Sequence, residues 1–225
     1  DGVQKGDRVA TLAWNTQRHI ETWYGTMCIG AVLHTLNPRL FPEQIAWIIN
    51  HAEDTHVFYD ITFQPIVEAI KDKVPSVKHW IVLTDAAHKP QSSIANLRTY
   101  EEYIAPHSTD VVWGDFPEDT ACGLCYTSGT TGDPKGVLYS HRSNILHTMI
   151  GLQKDAIGIG AADATLPVVP MFHANAWGLA FSGPATGSKL VLPGAKMDGE
   201  SIYELLENEK VTFTAAVPTV WLMLL

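Results

Sequence analysis

Apolar residues in this chain fall into short runs alternating with helically spaced stripes. Residues 9–14 form an apolar run that predicts a strand. From Asn15 or Thr16, either of which suits a helix N-cap, the positions Ile20, Trp23, Tyr24, Met27, Ala31 and Leu33 predict a helix reaching about Leu36. Asn37-Pro38 ends it. A second helix is predicted from Pro42 to about Glu53, with Glu43 placed to complement the helix dipole. Residues 56–59 and 79–83 predict strands around a helix at 63–73. Residues 90–117 read as irregular, apart from a short helix near 100–104. Beyond them the pattern predicts a strand at 120–126 and a helix at 140–156, capped by Ser140 or Ser143. It continues with a strand at 164–169, a helix at 173–186, a strand at 189–192, a helix at 199–209, a strand at 211–217 and a helix opening at Pro218.

This alternation is the mark of an α/β fold with mostly parallel sheets. Parallel strands are buried on both faces, which accounts for unbroken apolar runs such as 190–192 and 213–217. Two layers are expected, 1–118 and 119–225, with a soft boundary near residue 118 in the irregular stretch.

Composition narrows the field. The 225 residues are 46% hydrophobic, enough for a sizeable core. A net charge of −9 argues against a nucleic-acid surface. No uninterrupted apolar run is long enough for a membrane-spanning helix. Cys28, Cys122 and Cys125 are an odd set with no disulfide framework. Cys122 and Cys125 fit C-x-x-C, but residues three apart on a strand face opposite sides, so two reduced thiols in a reducing cytoplasm are expected. The first residue is Asp and no signal-peptide pattern follows, so the chain reads as a piece of a longer protein.

The chemistry concentrates at residues 126–137, Tyr-Thr-Ser-Gly-Thr-Thr-Gly-Asp-Pro-Lys-Gly-Val. Thr127, Ser128, Thr130 and Thr131 offer hydroxyl donors, Gly129, Gly132 and Gly136 let backbone N–H groups approach an anion, and Lys135 adds a mobile positive charge. That set suits a polyphosphate. It is not a Walker A loop, because Lys135 precedes Gly136 and position 137 is Val, and no Gly-x-Gly-x-x-Gly occurs.

The segment 126–137 resembles the signature loop of the adenylate-forming superfamily: acyl-CoA synthetases, luciferases and peptide-synthetase adenylation domains. The resemblance continues through residues 138–142, resumes at Pro167-Val168-Val169-Pro170-Met171-Phe172-His173-Ala174-Asn175-Ala176-Trp177, and again at 211–221 with Val217-Pro218-Thr219. Bacterial medium- and long-chain fatty acyl-CoA synthetases are the nearest likeness. The implied fold is the large amino-terminal domain of that superfamily, present as a fragment.

The resemblance implies an acid–thiol ligase using ATP, Mg2+ and coenzyme A. A carboxylate attacks the α-phosphorus of ATP, pyrophosphate leaves, and the coenzyme A thiol then displaces AMP. It places the β- and γ-phosphates on Thr127, Ser128, Gly129, Thr130, Thr131, Gly132 and Lys135, with a magnesium contact on Thr127. For Lys135 the plainer alternative is a solvated charge. His173 is implied beside the substrate carboxylate and the α-phosphate, against the alternative of a core histidine with a backbone partner. Trp177, with Gly178, is implied at the acyl tunnel, against ordinary core packing. A helix at 173–186 would put His173 and Trp177 on one face. Gly178 and Gly183 would leave room for an acyl chain. Arg142 reads as structural, and His19, His34, His51, His56 and His147 show no metal-ligand spacing.

Downstream motifs that the resemblance leads one to expect, for adenine, ribose, an acidic magnesium ligand and a mobile lysine, do not occur in 1–225, so no turnover is expected of this piece alone. Phe172 to Trp177 offers no aspartate for an amino group, which disfavours amino-acid substrates. The alternatives are a ligase for a small acid such as 3-methylthiopropionate, a non-CoA adenylating enzyme, and a non-catalytic nucleotide-binding module. A homodimer is compatible with all of them.

Overall fold

A computed structural model of the chain describes residues 1–127 and 132–224. In chain order it contains β1 (Arg8–Leu12), α1 (Gln17–Met27), β2 (Val32–Thr35), α2 (Pro42–Ala52), β3 (His56–Tyr59), α3 (Gln64–Ile70), β4 (His79–Val82), β5 (Arg98–Thr99), α4 (Tyr100–Ile104), β6 (Ala121–Thr127) and β7 (Lys135–Ser140). There follow α5 (His141–Gly151), β8 (Ala164–Pro167), α6 (Leu179–Thr186), β9 (Lys189–Leu190), α7 (Gly199–Asn208), β10 (Phe213–Ala215) and α8 (Pro218–Leu222). Contacts divide the chain into two compact units, Asp1–Ala13 with Glu21–Ser140, and Trp14–Ile20 with His141–Leu225.

The first unit is built on a seven-stranded sheet of order β5-β4-β3-β1-β2-β6-β7. Every pairing is parallel except β6 with β7. All four residues of β2 and all four of β3 are buried, as expected for parallel strands covered on both faces. Trp23, Tyr59, Ile45, Ile49 and Ile81 are fully buried in this unit. The second unit has a three-stranded parallel sheet of order β10-β8-β9. Leu166, Val168, Val191, Ile202 and Ala216 form its core, with Val220 and Trp221 packed against them.

The α/β class and the mostly parallel sheets agree with the sequence reading, but four features differ. The first helix stops at Met27, and residues 32–35 are a strand. Gly30 supplies the stop: its φ is +80°, and a Cβ there would lie 3.1 Å from Phe116 Cδ1. Ala31 and Leu33 fit a helical stripe equally well, because a strand buried on both faces has no alternation to betray it. Second, residues 135–140 form an antiparallel strand rather than the tail of a loop. As an edge strand it leaves Leu138 61% exposed, so it lacks a clear apolar side. Third, the division expected near residue 118 falls at Ser140, because β6 pairs with β2 and carries β7 with it. Fourth, the helix expected at 173–186 begins only at Leu179.

Candidate functional site

On either side of the Gly- and Thr-rich segment, β6 and β7 pair antiparallel as the two arms of a hairpin, so a strand rather than a helix follows it. In register, Tyr126 faces Gly136 and Thr127 faces Lys135. Thr127 and Lys135 are both exposed, and the Thr127 hydroxyl donates to the Lys135 carbonyl at 3.4 Å. They stand at the carboxyl end of β6, which runs parallel to β2 and β1. That is the edge of an open α/β sheet at which ligands bind. Gly132 has φ +112°, a conformation that residues with a side chain rarely adopt. Ser128, Gly129, Thr130 and Thr131 lie outside the described residues. The structure thus brings Thr127 and Lys135 together at the hairpin mouth, both on the exposed surface.

In the second unit, the chain leaving β8 is gripped by one side chain. The Asn15 amide donates to the carbonyls of Pro167 at 2.8 Å and Val169 at 3.0 Å, and its Oδ1 accepts the Met171 N–H at 2.8 Å. Asn15 is buried, and its backbone carbonyl also accepts from Gly194 N–H at 3.0 Å. Sequence reading offered Asn15 only as a helix cap. Its partners lie more than 150 positions away, so no local pattern reveals the role. Phe172 then packs edge-on against Trp14, with ring centroids 6.4 Å apart.

His173 is exposed, and the four residues after it turn the wrong way. Ala174, Asn175, Ala176 and Trp177 have φ of 45°, 52°, 51° and 55°. A left-handed turn costs roughly 1–2 kcal/mol per residue for L-amino acids. His173 and Trp177 therefore do not share the face of a right-handed helix, which corrects the spacing argument. Trp177 is 50% exposed and lines a cavity of about 340 Å³ with Leu179, Ala215, Ala216 and Trp221. The space beside Gly178 is filled: a Cβ there would lie 2.7 Å from the His147 ring, and φ is +79°. Gly183 is likewise close-packed, since an added Cβ would meet Leu190 at 3.3 Å. The small residues after Trp177 serve close packing in this unit.

One grouping was invisible to the spacing of histidines. Ligand atoms of Asp1, His56 and His79 lie within 4.8 Å of one another. The Arg98 guanidinium already pairs with the Asp1 carboxylate and comes to 3.4 Å from His79 Nδ1, so a positive charge occupies the place a metal ion would take. Burial, then the neighbouring His79, pushes His56 down to about 4. Cys122 and Cys125 are buried and form no disulfide, and Cys125 Sγ lies 3.1 Å from the Thr35 hydroxyl.

A family model described as AMP-binding enzyme matches residues 1–225. The chain is 48% identical to a 3-methylmercaptopropionyl-CoA ligase of Ruegeria lacuscaerulensis, covering 98% of this chain and 41% of that protein. It is also 48% identical to a long-chain-fatty-acid CoA ligase of Thermus thermophilus, over 99% of this chain and 40% of that protein. The chain thus spans about two fifths of the length of these relatives. Among solved structures, an anthranilate CoA ligase bound to anthranoyl-AMP superposes with a TM-score of 0.86 at 23% identity, over 98% of this chain and 42% of that one.

Proposed function

The chain belongs to the AMP-binding enzyme family, and from that premise we propose that the protein containing it is an ATP-dependent acyl-CoA ligase. The observation carrying this reading is the hairpin mouth at the carboxyl end of a parallel sheet, with Thr127 and Lys135 side by side. In the first half-reaction the carboxylate oxygen of an acid bonds to the α-phosphorus of ATP, and the bond to pyrophosphate breaks. Negative charge passes to the departing pyrophosphate. Backbone N–H groups and hydroxyls of 127–132 hold the β- and γ-phosphates, and the Lys135 ammonium balances the developing charge. His173 orients the acid carboxylate by a hydrogen bond, and Trp177 lies at the acyl end, while Gly178, packed against His147, serves the fold. In the second half-reaction the coenzyme A sulfur bonds to the acyl carbon and AMP leaves.

The donors at the hairpin mouth suit magnesium. The Thr127 hydroxyl, on an exposed residue, is a hard oxygen ligand of the kind that ion takes. When bound there, the ion would neutralise phosphate charge.

Two acid classes stay in play, because the chain is equally similar to a ligase named for a small sulfur-containing acid and to one named for long fatty acids. Three cysteines without a disulfide suit a reducing compartment, so we place the protein in the cytoplasm. No helix of the described residues is long and apolar enough to cross a membrane.

The test is pyrophosphate exchange into ATP by the full-length protein with short, medium and long carboxylic acids and 3-methylthiopropionate, followed by coenzyme A. Acid-dependent exchange and then thioester are expected. Exchange without thioester would indicate a non-CoA adenylating enzyme. No exchange with any acid would leave a non-catalytic nucleotide-binding module. Purified 1–225 alone is expected to form no acyl-adenylate.

A further inference from the structure

Tyr126 sits at the carboxyl end of β6, one residue before Thr127, and is enclosed by groups from three other elements. His51, in the last turn of α2, lies with Nδ1 2.6 Å from the Tyr126 hydroxyl. Trp47, one turn earlier, stacks on His51 with centroids 4.7 Å apart and an interplanar angle of 17°. Both rings meet Tyr126 edge-on, at 5.8 Å for His51 and 6.5 Å for Trp47. His34 of β2 approaches it at 5.2 Å and is fixed from behind by the buried Asp54 carboxylate at 2.8 and 3.0 Å. Across the hairpin, a Cβ on Gly136 would lie 3.1 Å from Leu124 Cδ1 and 3.3 Å from the Tyr126 ring, so glycine gives the ring room over its own cross-strand partner.

We propose that Tyr126 is a positioning residue for the triphosphate: its bond to His51 fixes the end of β6, and thereby where Thr127 and Lys135 present their donors. The inference rests on the ATP site proposed above. Three facts favour positioning over simple packing. His51 is exposed, so the bond contributes little to a core. The bond lies at the mouth of the hairpin, adjacent to the Thr127–Lys135 pair. It also forms with His51 in either charge state, because neutral Nδ1 accepts from the phenol and a protonated ring donates to it. Burial raises the Tyr126 hydroxyl above its ordinary value, which keeps the phenol protonated.

The experiment uses the full-length protein with Tyr126→Phe, His51→Phe and the double variant. His51→Phe keeps a ring against Trp47 and removes the nitrogen. Each single change is expected to lower kcat/KM for ATP in pyrophosphate exchange by about 10-fold, the scale of a small misplacement of a positioned group. The double variant should be no worse than either single, because both remove the same bond. KM for the acid should stay within about 2-fold, and His51→Asn, which restores a polar atom near Nδ1, should recover most of the loss. The same proteins are titrated with Mg-ATP by calorimetry. If wild type binds ATP yet adenylates no acid, the ligase reading fails, and the loss of affinity in Tyr126→Phe still decides the positioning role. The proposal is overturned if Tyr126→Phe leaves both kcat/KM and Kd for ATP within about 2-fold while lowering Tm. Losses that multiply in the double variant, or a wild type that binds no ATP, would overturn it too.

Discussion

Asn15 Oδ1 accepts the Met171 N–H at 2.8 Å, two residues before His173. With its two donor bonds to Pro167 and Val169, the Asn15 amide acts as a short length of strand alongside residues 167–171. On the opposite side, the N–H groups of Val168 and Val169 both reach the Ala215 carbonyl at 3.0 Å. Removing the Asn15 side chain leaves three buried backbone groups unpaired, each costing about 1–3 kcal/mol. Asn15→Ala is therefore expected to destabilise by at least about 3 kcal/mol in urea unfolding followed by tryptophan fluorescence. Asn15→Asp, the same size, should be no milder, because it sets a carboxylate against two carbonyl oxygens. A mild Asn15→Asp would mean that volume rather than hydrogen bonding matters there.

Gly178 carries two separable requirements. Its φ of +79° disfavours any side chain, and the His147 ring fills the space a Cβ would need. Gly178→Ala should cost about 2 kcal/mol or more. In a His147→Ala background the steric part disappears, leaving about 1 kcal/mol for the backbone alone. A double-mutant cycle reads the difference directly. Equal costs in both backgrounds would show that the backbone angle is the whole effect.

Legibility in the sequence followed how local each signal was. Residues 42–53 and 56–59 were readable because Pro42 and a clear apolar run mark them locally, and the structure adds caps at Thr99 with Glu102 and at Asp198 to the helices expected at 100–104 and 199–209. β2 was not, since a doubly buried strand mimics a helical stripe over four residues. β7 was not, since an edge strand next to a glycine-rich segment has no apolar side. Of the candidate site, the composition of 126–137 spoke plainly. The grip of Asn15, the enclosure of Tyr126 by α2 and the left-handed turn after His173 depend on tertiary neighbours, and no spacing rule reports them.

The buried histidines give the fold a pH response. Burial lowers the His19 imidazole to about 4, with its bond to the Trp14 carbonyl working the other way. Unfolded, the group titrates near 6.5. The unfolded chain therefore takes up the extra proton first as pH falls. His19's contribution is complete above about pH 6.5, declines toward pH 4 and then levels off, a loss of about 3 kcal/mol in all. His56, lowered to about 4 chiefly by burial, works in the same direction. Burial raises Asp54, which works in the opposite sense. The informative comparison is therefore between variants. His19→Asn keeps a donor for the Trp14 carbonyl and removes the titration, so its stability should fall less than wild type between pH 6.5 and 4. Parallel profiles would exclude His19 as a source of the acid sensitivity.

Lys135 and Thr127 are exposed, so their removal should leave the unfolding midpoint of the full-length protein almost unchanged. Lys135→Ala and Thr127→Ala are expected to slow acyl-adenylate formation by ~10- to 1000-fold, the range for a lost electrostatic donor. Lys135→Arg should recover only part of the rate, because a planar guanidinium does not reproduce a compact ammonium. Wild-type kinetics in both alanine variants would place the triphosphate elsewhere.

Trp177 offers the clearest separation of acyl from nucleotide effects. It is half exposed, at the end of a left-handed turn, and shares its cavity with Trp221 and Ala216. Truncation enlarges that cavity, all of whose lining belongs to the second unit. Each methylene gained or lost in an apolar pocket is worth about 10- to 200-fold in discrimination at most. Trp177→Ala in the full-length protein should therefore change the ratio of kcat/KM for long and short acids by about 10-fold in favour of the longer. KM for ATP should stay within about 2-fold. A changed ATP constant with an unchanged chain-length ratio would assign Trp177 to nucleotide binding, and no change in either would leave it as packing for the second unit.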